Sequence, residues 1–306
     1  MPARQSAFAS SFSSLADAKD EQPQEQQQVD PKPLIGFVPT MGALHEGHLN
    51  LIRQARHECQ NVIVSIFVNP LQFGPTEDFG KYPRTFERDR ELCEQEGVDV
   101  IFHPTVDVMY PGGQAGTTKV IPPEVLEKSL YGQYRPAFFS GVATVVSRLF
   151  NLVQPDVAYF GEKDFQQLVV IKKMVFDLHI PVKIVGVETV REKDGLAFSS
   201  RNVFLSERQR SEAPLLYKTL KQIAQQSKEN KKTLSALLAD GIRTISNLED
   251  VDLKYLVACD VDSLETLTEY RLPMVLLVAA KFKEVWLIDT LVVSALVGAQ
   301  HGKSWR

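Results

Sequence analysis

Two histidines stand three residues apart in the segment Pro39 to His48, which reads PTMGALHEGH. The segment follows an apolar, strand-like run and precedes a helical pattern, which is where open parallel sheets bind their ligands. Gly42 allows close backbone approach to a phosphate, and the N-terminus of the following helix offers N–H groups to an anion. Imidazoles with the ordinary pKa of about 6.5 could donate to charge that grows on a phosphate. The segment therefore predicts a phosphate site.

Two other interpretations of His45 and His48 stay open. Zinc is one, but zinc proteases place their histidines four residues apart with Glu next to the first, whereas here the spacing is three and Gly47 intervenes. The other is purely structural, because two ordinary histidines could cap a helix or pack. Their position after an apolar strand, beside Gly42 and Gly47, argues against it.

Alternating strand and helix patterns must position this segment. The strand-like runs are 34–39, 61–67, 98–102, 157–160 and 182–187, and the helical patterns are 47–58, 85–96, 142–153 and 164–178. Such alternation is typical of a parallel sheet with crossover helices. Beyond residue 188, two long helical patterns (206–226 and 233–248) precede strand-like runs at 251–257, 274–280 and 285–288. We predict an α/β protein with a Rossmann-like parallel-sheet domain at 34–188 and a smaller C-terminal α+β lid domain at 189–306.

Composition excludes several other classes of protein. The 306 residues carry 34 Lys and Arg against 38 Asp and Glu, a net charge of −4, which indicates neither a nucleic-acid partner nor a membrane partner. Cys59, Cys93 and Cys259 are widely separated and predict buried, reduced thiols of a cytoplasmic protein. The apolar run 274–280 is too short to cross a bilayer, which needs about 20 residues. Residues 1–33 are polar and predict a flexible leader.

The segment ending at His48 resembles the HxGH signature of the nucleotidyltransferase superfamily, which includes the class I aminoacyl-tRNA synthetases. Other segments make the resemblance more specific: FVNPLQFG at 67–74, KYPRT at 81–85, FGEKDFQQL at 160–168 and DGLAFSSRN at 194–202. In this order and spacing they are similar to the pantoate–β-alanine ligase family, closely over 34–205 and more loosely to 291. The resemblance implies a ligase of pantothenate biosynthesis. Such an enzyme condenses (R)-pantoate with β-alanine and converts ATP to AMP and pyrophosphate through a pantoyl-adenylate.

The resemblance also implies roles for individual residues. Those expected to bind ATP are Met41, Gly42, Ala43, Leu44, His45, Glu46, Gly47, His48, Gly161, Glu162, Lys163, Asp164, Val190, Phe198, Ser199, Ser200 and Arg201. Those expected to hold pantoate are Gln72, Gln167, Asn69 and Tyr82, with Gln72 also contacting β-alanine. The expected catalytic residues are His48, His45, Lys163 and Arg201. Asp89 is expected to contact Mg²⁺, and the protein is expected to be a homodimer.

Some positions depart from the family's pattern. Phe198 stands where Met is common, and it could still cover the adenine. The run RPAFF at 135–139 replaces RPGHF, so only packing is expected of it, and the run near residue 289 contains an unexpected Phe282 and Trp286. None of the expected catalytic residues is changed. We therefore expect activity to survive, with altered affinity or lid motion.

Two further functions stay open at this level. A nucleotidylyltransferase would transfer AMP or CMP to a phosphate ester, but it would need basic residues where this chain has Asn69, Gln72 and Gln167. A catalytically idle regulator on the same fold is the second, and the intact histidine pair argues against it. A measurement of ATP turnover discriminates an enzyme from a regulator that only binds the nucleotide.

Overall fold

The computed structural model describes residues 32–74, 79–229 and 231–294. Nearly all of the leader predicted at 1–33 lies outside these ranges. So does part of the segment between Leu71 and Pro83.

A five-stranded parallel sheet forms the first half of the described chain. Its strands are β1 (Ile35–Thr40), β2 (Asn61–Ile66), β3 (Val100–Phe102), β4 (Val157–Gly161) and β5 (Lys183–Val187), in the spatial order β3-β2-β1-β4-β5. The helices that connect them are α1 (Glu46–Glu58), α2 (Phe86–Gln95), α3 (Val106–Met109), α4 (Glu124–Glu127), α5 (Leu130–Tyr134), α6 (Phe138–Val153) and α7 (Phe165–Asp177). The α/β fold predicted from the alternating patterns is confirmed.

The sheet is buried on both faces, which explains its nearly continuous apolar strands. Successive strand residues point to opposite faces, so Phe37 joins a core with α6 and α7 while Val38 joins a core with α1. Both side chains are completely buried. Helices therefore cover the two faces and leave the ends of the strands for a ligand.

A three-stranded antiparallel sheet lies in the second half of the described chain. Its strands, in the order β6-β7-β8, are β6 (Val251–Asp260), β7 (Met274–Phe282) and β8 (Val285–Val293), preceded by α8 (Glu207–Glu212), α9 (Leu215–Glu229) and α10 (Leu234–Ser246). The helix predicted over 206–226 is in fact two helices, because Pro214 lacks the N–H that a continuous helix would use. Leu216 and Leu220 pack against Leu276 and Val278 to form the local core.

The unexpected aromatic residues of this half have clear packing roles. Phe282 is completely buried in the core between the helices and the antiparallel sheet. Trp286 packs perpendicular to Tyr131 of α5, with the ring centroids 5.5 Å apart. These substitutions therefore fit the fold.

Two smaller predictions can also be compared with the structure. The three cysteines are free and buried, as expected. Within the described ranges, every helix is too short or too polar to span a membrane.

The strand order reverses between β1 and β4, which lie side by side and run parallel. β1 ends at Thr40 and β4 ends at Gly161, so the histidine segment and the Gly161–Asp164 segment leave the same edge of the sheet. In open parallel sheets such a reversal creates a crevice for ligands.

Candidate active site

A cleft lies at this reversal point, and most of the predicted site residues line it. They are Met41, His45, Gly47, His48, Asn69, Gln72, Tyr82, Gly161, Lys163, Asp164, Gln167, Val190, Phe198, Ser199, Ser200 and Arg201. The fold thus brings all four expected catalytic side chains to one cavity. The predicted residues outside the lining are Gly42, Ala43, Leu44, Glu46, Glu162 and Asp89.

The rings of His45 and His48 lie close together, with centroids 4.0 Å apart and planes tilted by 33°. The backbone N–H of His45 donates to Nδ1 of His48 over 3.3 Å, so the neutral His48 ring carries its proton on Nε2. A side chain at residue 47 would start 3.0 Å from the His45 ring, so Gly47 leaves room for that ring. The pair therefore offers an oriented N–H donor.

Both histidines are neutral near pH 7. Their pKa values are lower than the ordinary value that was expected for them. Burial is the main cause, and it lowers the pKa of His45 to about 4 and that of His48 to about 3. The Lys163 ammonium lowers the pKa of both rings further, and His45 also lowers that of His48. The two rings can thus donate hydrogen bonds while Lys163 supplies positive charge.

These lowered pKa values predict a pH-dependent loss of stability. Between pH 6.5 and about 4 the unfolded chain protonates its histidines but the folded chain keeps His48 neutral, so acid favours unfolding. Lowering the pH from 7 to 5 should remove about 2 kcal/mol through His48. Urea unfolding of the wild type and a His48→Gln variant at both pH values measures this. Equal losses of unfolding free energy in the two proteins would contradict the prediction.

Asp89 holds the loop that leads to the histidines. Its Oδ2 accepts from the Ala43 N–H and its Oδ1 accepts from the Leu44 N–H, each over 2.8 Å. Gly42 and Ala43 are both left-handed, with φ of +79° and +49°. A Cβ at Gly42 would lie only 3.0 Å from Oδ2 of Asp89. The buried carboxylate therefore stabilises a loop conformation that is unfavourable for Ala43.

This arrangement does not fit the Mg²⁺ contact expected of Asp89. Its side chain is completely buried, and Oδ2 accepts a further hydrogen bond from Oγ1 of Thr85 over 3.1 Å. Within the part of the chain that the structure describes, no group of three or more His, Cys, Asp and Glu side chains is placed to hold a metal ion. The same finding gives no support to the zinc interpretation. We assign no step to Mg²⁺.

Asp89→Asn should loosen the histidine loop, because the amide replaces one of the two acceptor oxygens with an NH2 group that would face a backbone N–H donor. We expect a loss of about 2 kcal/mol in unfolding free energy and weaker ATP binding. Urea unfolding and calorimetric titration with ATP measure the two effects. Glu91→Gln, an exposed change on the same helix, is the matched control. If the two variants behave alike, Asp89 does not hold the loop.

Asn69 organises the part of the cleft where pantoate is expected to bind. Its Nδ2 donates to Oε1 of Gln72 and to the Gly141 carbonyl, each over 3.1 Å, while its Oδ1 accepts from Tyr110 and from the Leu71 N–H. Both donors of the Asn69 amide are thus used within the protein. Because Oε1 of Gln72 accepts from Asn69, its Nε2 is the donor, and it lies 2.9 Å from Sδ of Met41, another residue of the cleft lining. Asn69 therefore orients Gln72.

Neighbouring glutamines on α7 have different roles. Gln166 is buried, and its amide bonds the Leu126 and Ser129 carbonyls and the Tyr131 N–H. Gln167 lines the cleft. Gln167, which is expected to hold pantoate, is therefore at the cleft, whereas Gln166 forms hydrogen bonds within the protein.

The Ser-Ser-Arg loop closes another side of the cleft. Tyr82 hydrogen-bonds Ser200, and burial raises the pKa of the Tyr82 hydroxyl. The Phe198 ring stacks on His45, with a centroid distance of 6.3 Å and an angle of 25°. Asp164 stands at the N-cap position directly before α7, but its side chain makes no capping hydrogen bond. Its carboxylate lies 4.0 Å from the Lys163 ammonium.

The lining residues outside the set predicted from the sequence include Tyr131, Arg135 and Phe138. The Arg135 guanidinium donates to the Tyr131 hydroxyl and to the Gln72 carbonyl, each over 3.2 Å, and lies 4.1 Å from the Phe138 ring centroid. Packing alone was expected of the run at 135–139, but this run forms part of the cleft wall. The similarity of this run to the family's RPGHF run was the sequence signal that could have identified it as part of the cleft.

Comparison with known proteins agrees with this geometry. Residues 11–292 match the model of the family described as pantoate-beta-alanine ligase. The chain is 48% identical to the pantothenate synthetase of Syntrophotalea carbinolica, with 83% of this chain and 89% of that protein covered. It is 49% identical to the pantothenate synthetase of Thermus thermophilus, with 86% and 94% covered.

Solved structures give the same result. A crystal structure of pantothenate synthetase from Thermus thermophilus superposes with a TM-score of 0.82 at 46% identity, covering 86% of this chain and 95% of that one. Pantoate-beta-alanine ligase from Francisella tularensis, complexed with ATP and β-alanine, superposes with a TM-score of 0.70 at 34% identity, covering 87% and 92%. These matches span most of every chain compared. The chain belongs to the pantoate–β-alanine ligase family.

Proposed function

We propose that this protein condenses (R)-pantoate with β-alanine, forming pantothenate, AMP and pyrophosphate from ATP through a pantoyl-adenylate. One observation carries the proposal beside family membership. A single cleft combines neutral His45 and His48 and cationic Lys163 and Arg201 with the uncharged amides of Gln72 and Gln167. Lys163 and Arg201 can bind the phosphates of ATP through their positive charge. The amides of Gln72 and Gln167 can form hydrogen bonds with an acid that carries hydroxyl groups.

In the first half-reaction, a carboxylate oxygen of pantoate attacks the α-phosphorus of ATP. The bond from that phosphorus to the bridging oxygen breaks, and pyrophosphate leaves with the electron pair. Negative charge grows on the phosphoryl oxygens, where the His48 Nε2–H and the Lys163 ammonium can stabilise it. Arg201, Ser199 and Ser200 would hold the departing phosphates, while Gly161, Asp164, Val190 and Phe198 would hold the rest of the nucleotide.

In the second half-reaction, the amine of β-alanine attacks the acyl carbon of the adenylate. The bond from that carbon to the AMP oxygen breaks, and the nitrogen loses a proton as the amide forms. Histidines with pKa values of about 3 and 4 are poor bases at pH 7. We therefore assign them to charge stabilisation and not to proton removal.

The neutral acceptor side of the cleft favours a ligase over a nucleotidylyltransferase. A phosphorylated acceptor would require cations near Gln72 and Gln167. The Arg135 guanidinium, which also lines the cleft, donates to the backbone carbonyl of Gln72 and to the Tyr131 hydroxyl within the protein. Because Asn69 donates to Oε1 of Gln72, the Gln72 side chain is oriented to donate its N–H groups, and a carboxylate can accept them.

We also propose that the protein is a cytoplasmic homodimer in which residues 189–306 act as a lid domain over residues 34–188. The family resemblance supports the dimer, and the exposed apolar side chains of Val108, Ile121 and Val125 are available for such an interface. The free thiols support a reducing compartment. Light scattering after gel filtration measures the mass, and a monomer at micromolar concentration would refute the dimer.

The function is tested by measuring AMP and pyrophosphate release by the purified protein with MgATP and pantoate, with and without β-alanine. We expect sustained AMP formation only when both substrates are present. Pantoate alone should support exchange of labelled pyrophosphate into ATP, because the adenylate forms before the amine reacts. ATP binding without turnover would refute the ligase and favour a regulatory protein.

A further inference from the structure

The last strand of the antiparallel sheet contacts both segments that carry the cationic residues of the cleft. On β8, Oγ1 of Thr290 donates to the Glu162 carbonyl over 2.8 Å. The preceding residue, Asp289, accepts two hydrogen bonds from the guanidinium of Arg191, over 2.7 and 2.8 Å. Two adjacent residues of one strand thus bind two separate segments.

Each of these contacts lies close in sequence to residues that are predicted to bind ATP. Glu162 directly precedes Lys163 in the turn after β4. Arg191 pairs with Ala197 across a short antiparallel bridge, and Ala197 is followed by Phe198 and the Ser-Ser-Arg loop. The position of β8 therefore determines where the turn carrying Lys163 and the loop carrying Arg201 begin.

The contact with Arg191 is buried and geometrically restricted. Asp289 is 4% exposed, and its Oδ1 also accepts from the Thr290 N–H over 2.7 Å. The Arg191 guanidinium lies 3.4 Å from the Tyr217 ring centroid and donates to the Gly195 and Thr290 carbonyls. A buried ion pair adds little net stability compared with apolar packing. Its planar geometry, with two parallel hydrogen bonds, instead suits it to hold two segments in register.

We infer that Asp289 and Thr290 are positioning residues of the ATP site. They hold the Lys163 turn and the Ser-Ser-Arg loop at a set separation, so that both cations meet the phosphates of one ATP molecule. The inference rests on the proposed placement of those phosphates between Lys163 and Arg201. Preorganised charges of this kind act without rearrangement during the reaction.

Thr290→Val tests the inference, because it removes one hydroxyl and keeps the size and shape of the side chain. We expect the Kd and the KM for ATP to rise about fivefold, since one hydrogen bond to the Glu162 carbonyl is lost. The KM for β-alanine should not change. Thr290→Ser restores the hydroxyl and should restore ATP affinity. Asp289→Asn should weaken ATP binding more, because it leaves the Arg191 cation without its buried anion.

Thr219→Val is the matched control. Thr219 is equally buried, but its hydroxyl bonds the Leu215 carbonyl within its own helix. An ATP affinity of Thr290→Val equal to that of the wild type would overturn the inference, as would equal increases of all three substrate KM values or no rescue by Thr290→Ser.

Calorimetric titration with ATP separates this inference from the proposed function. A wild type that makes no AMP with pantoate and β-alanine would refute the ligase. The ATP Kd values of the Thr290 variants would still decide whether β8 positions the nucleotide site. If Thr290→Val lowers the amount of folded protein, Thr290→Ala gives the same comparison.

Discussion

Replacing His48 with alanine is expected to slow pantoate-dependent exchange of pyrophosphate into ATP by about a hundredfold to a thousandfold. The variant loses the Nε2–H donor, which the hydrogen bond between the His45 N–H and Nδ1 of His48 holds in orientation. Charge on the α-phosphoryl group grows mainly in the transition state, so kcat should fall much more than ATP affinity. Exchange of labelled pyrophosphate measures this step without the amine.

Two further substitutions sharpen the His48 experiment. His57→Ala removes an exposed histidine from the same helix and should leave the rate unchanged. His48→Gln keeps a neutral N–H donor and should recover part of the lost rate, because His48 acts as a donor and not as an acid or base. A His48→Ala variant that exchanges pyrophosphate at the wild-type rate would remove His48 from the proposed mechanism.

Lys163→Met should reduce kcat/KM for ATP by about a hundredfold to a thousandfold. Its ammonium lies in a cleft where its side chain is only 17% exposed, so its charge is weakly screened by water. Lys163 belongs to a segment that leaves the same sheet edge as the histidines, and its charge lowers the pKa of both rings. Removing it withdraws positive charge from the ground state and from the transition state, so KM should rise and kcat should fall.

Steady-state kinetics with varied ATP measures the Lys163 effect. Lys173→Met is the matched control, because Lys173 is on the outer side of α7 and pairs with Asp177 at the surface. The pKa of His48 should also rise in Lys163→Met, which an NMR titration of the ring can follow. Unchanged kinetics together with an unchanged His48 pKa would show that Lys163 does not act on this site.

Local patterns in the sequence were sufficient to predict the parallel sheet and the helices α1, α2, α6 and α7, but not the short helices α3, α4 and α5. The alternation of apolar strands and amphipathic helices depends on neighbouring residues, so β1, α1 and α6 appear within a few residues of their expected positions. The one misjudged helix, at 206–226, contains Pro214, and proline acts on the backbone regardless of the apolar spacing around it.

The sequence also predicted which side chains would carry the chemistry. His45, His48, Lys163 and Arg201 stand in short motifs whose order is shared with a family, and parallel strands bring such segments to one edge of a sheet. Their presence in one cleft follows from that topology.

Only the tertiary structure decided the state and the partners of those side chains. Asp89 is a buried support for a left-handed loop and Asn69 is an orienting amide, because each finds its hydrogen-bond partners far away along the chain. The neutral state of His48 arises from burial and from Lys163, more than a hundred residues distant in sequence. Residue type and spacing determine what a group can do. Desolvation and the donors and acceptors around the group depend on the packed fold, and they decide what it does.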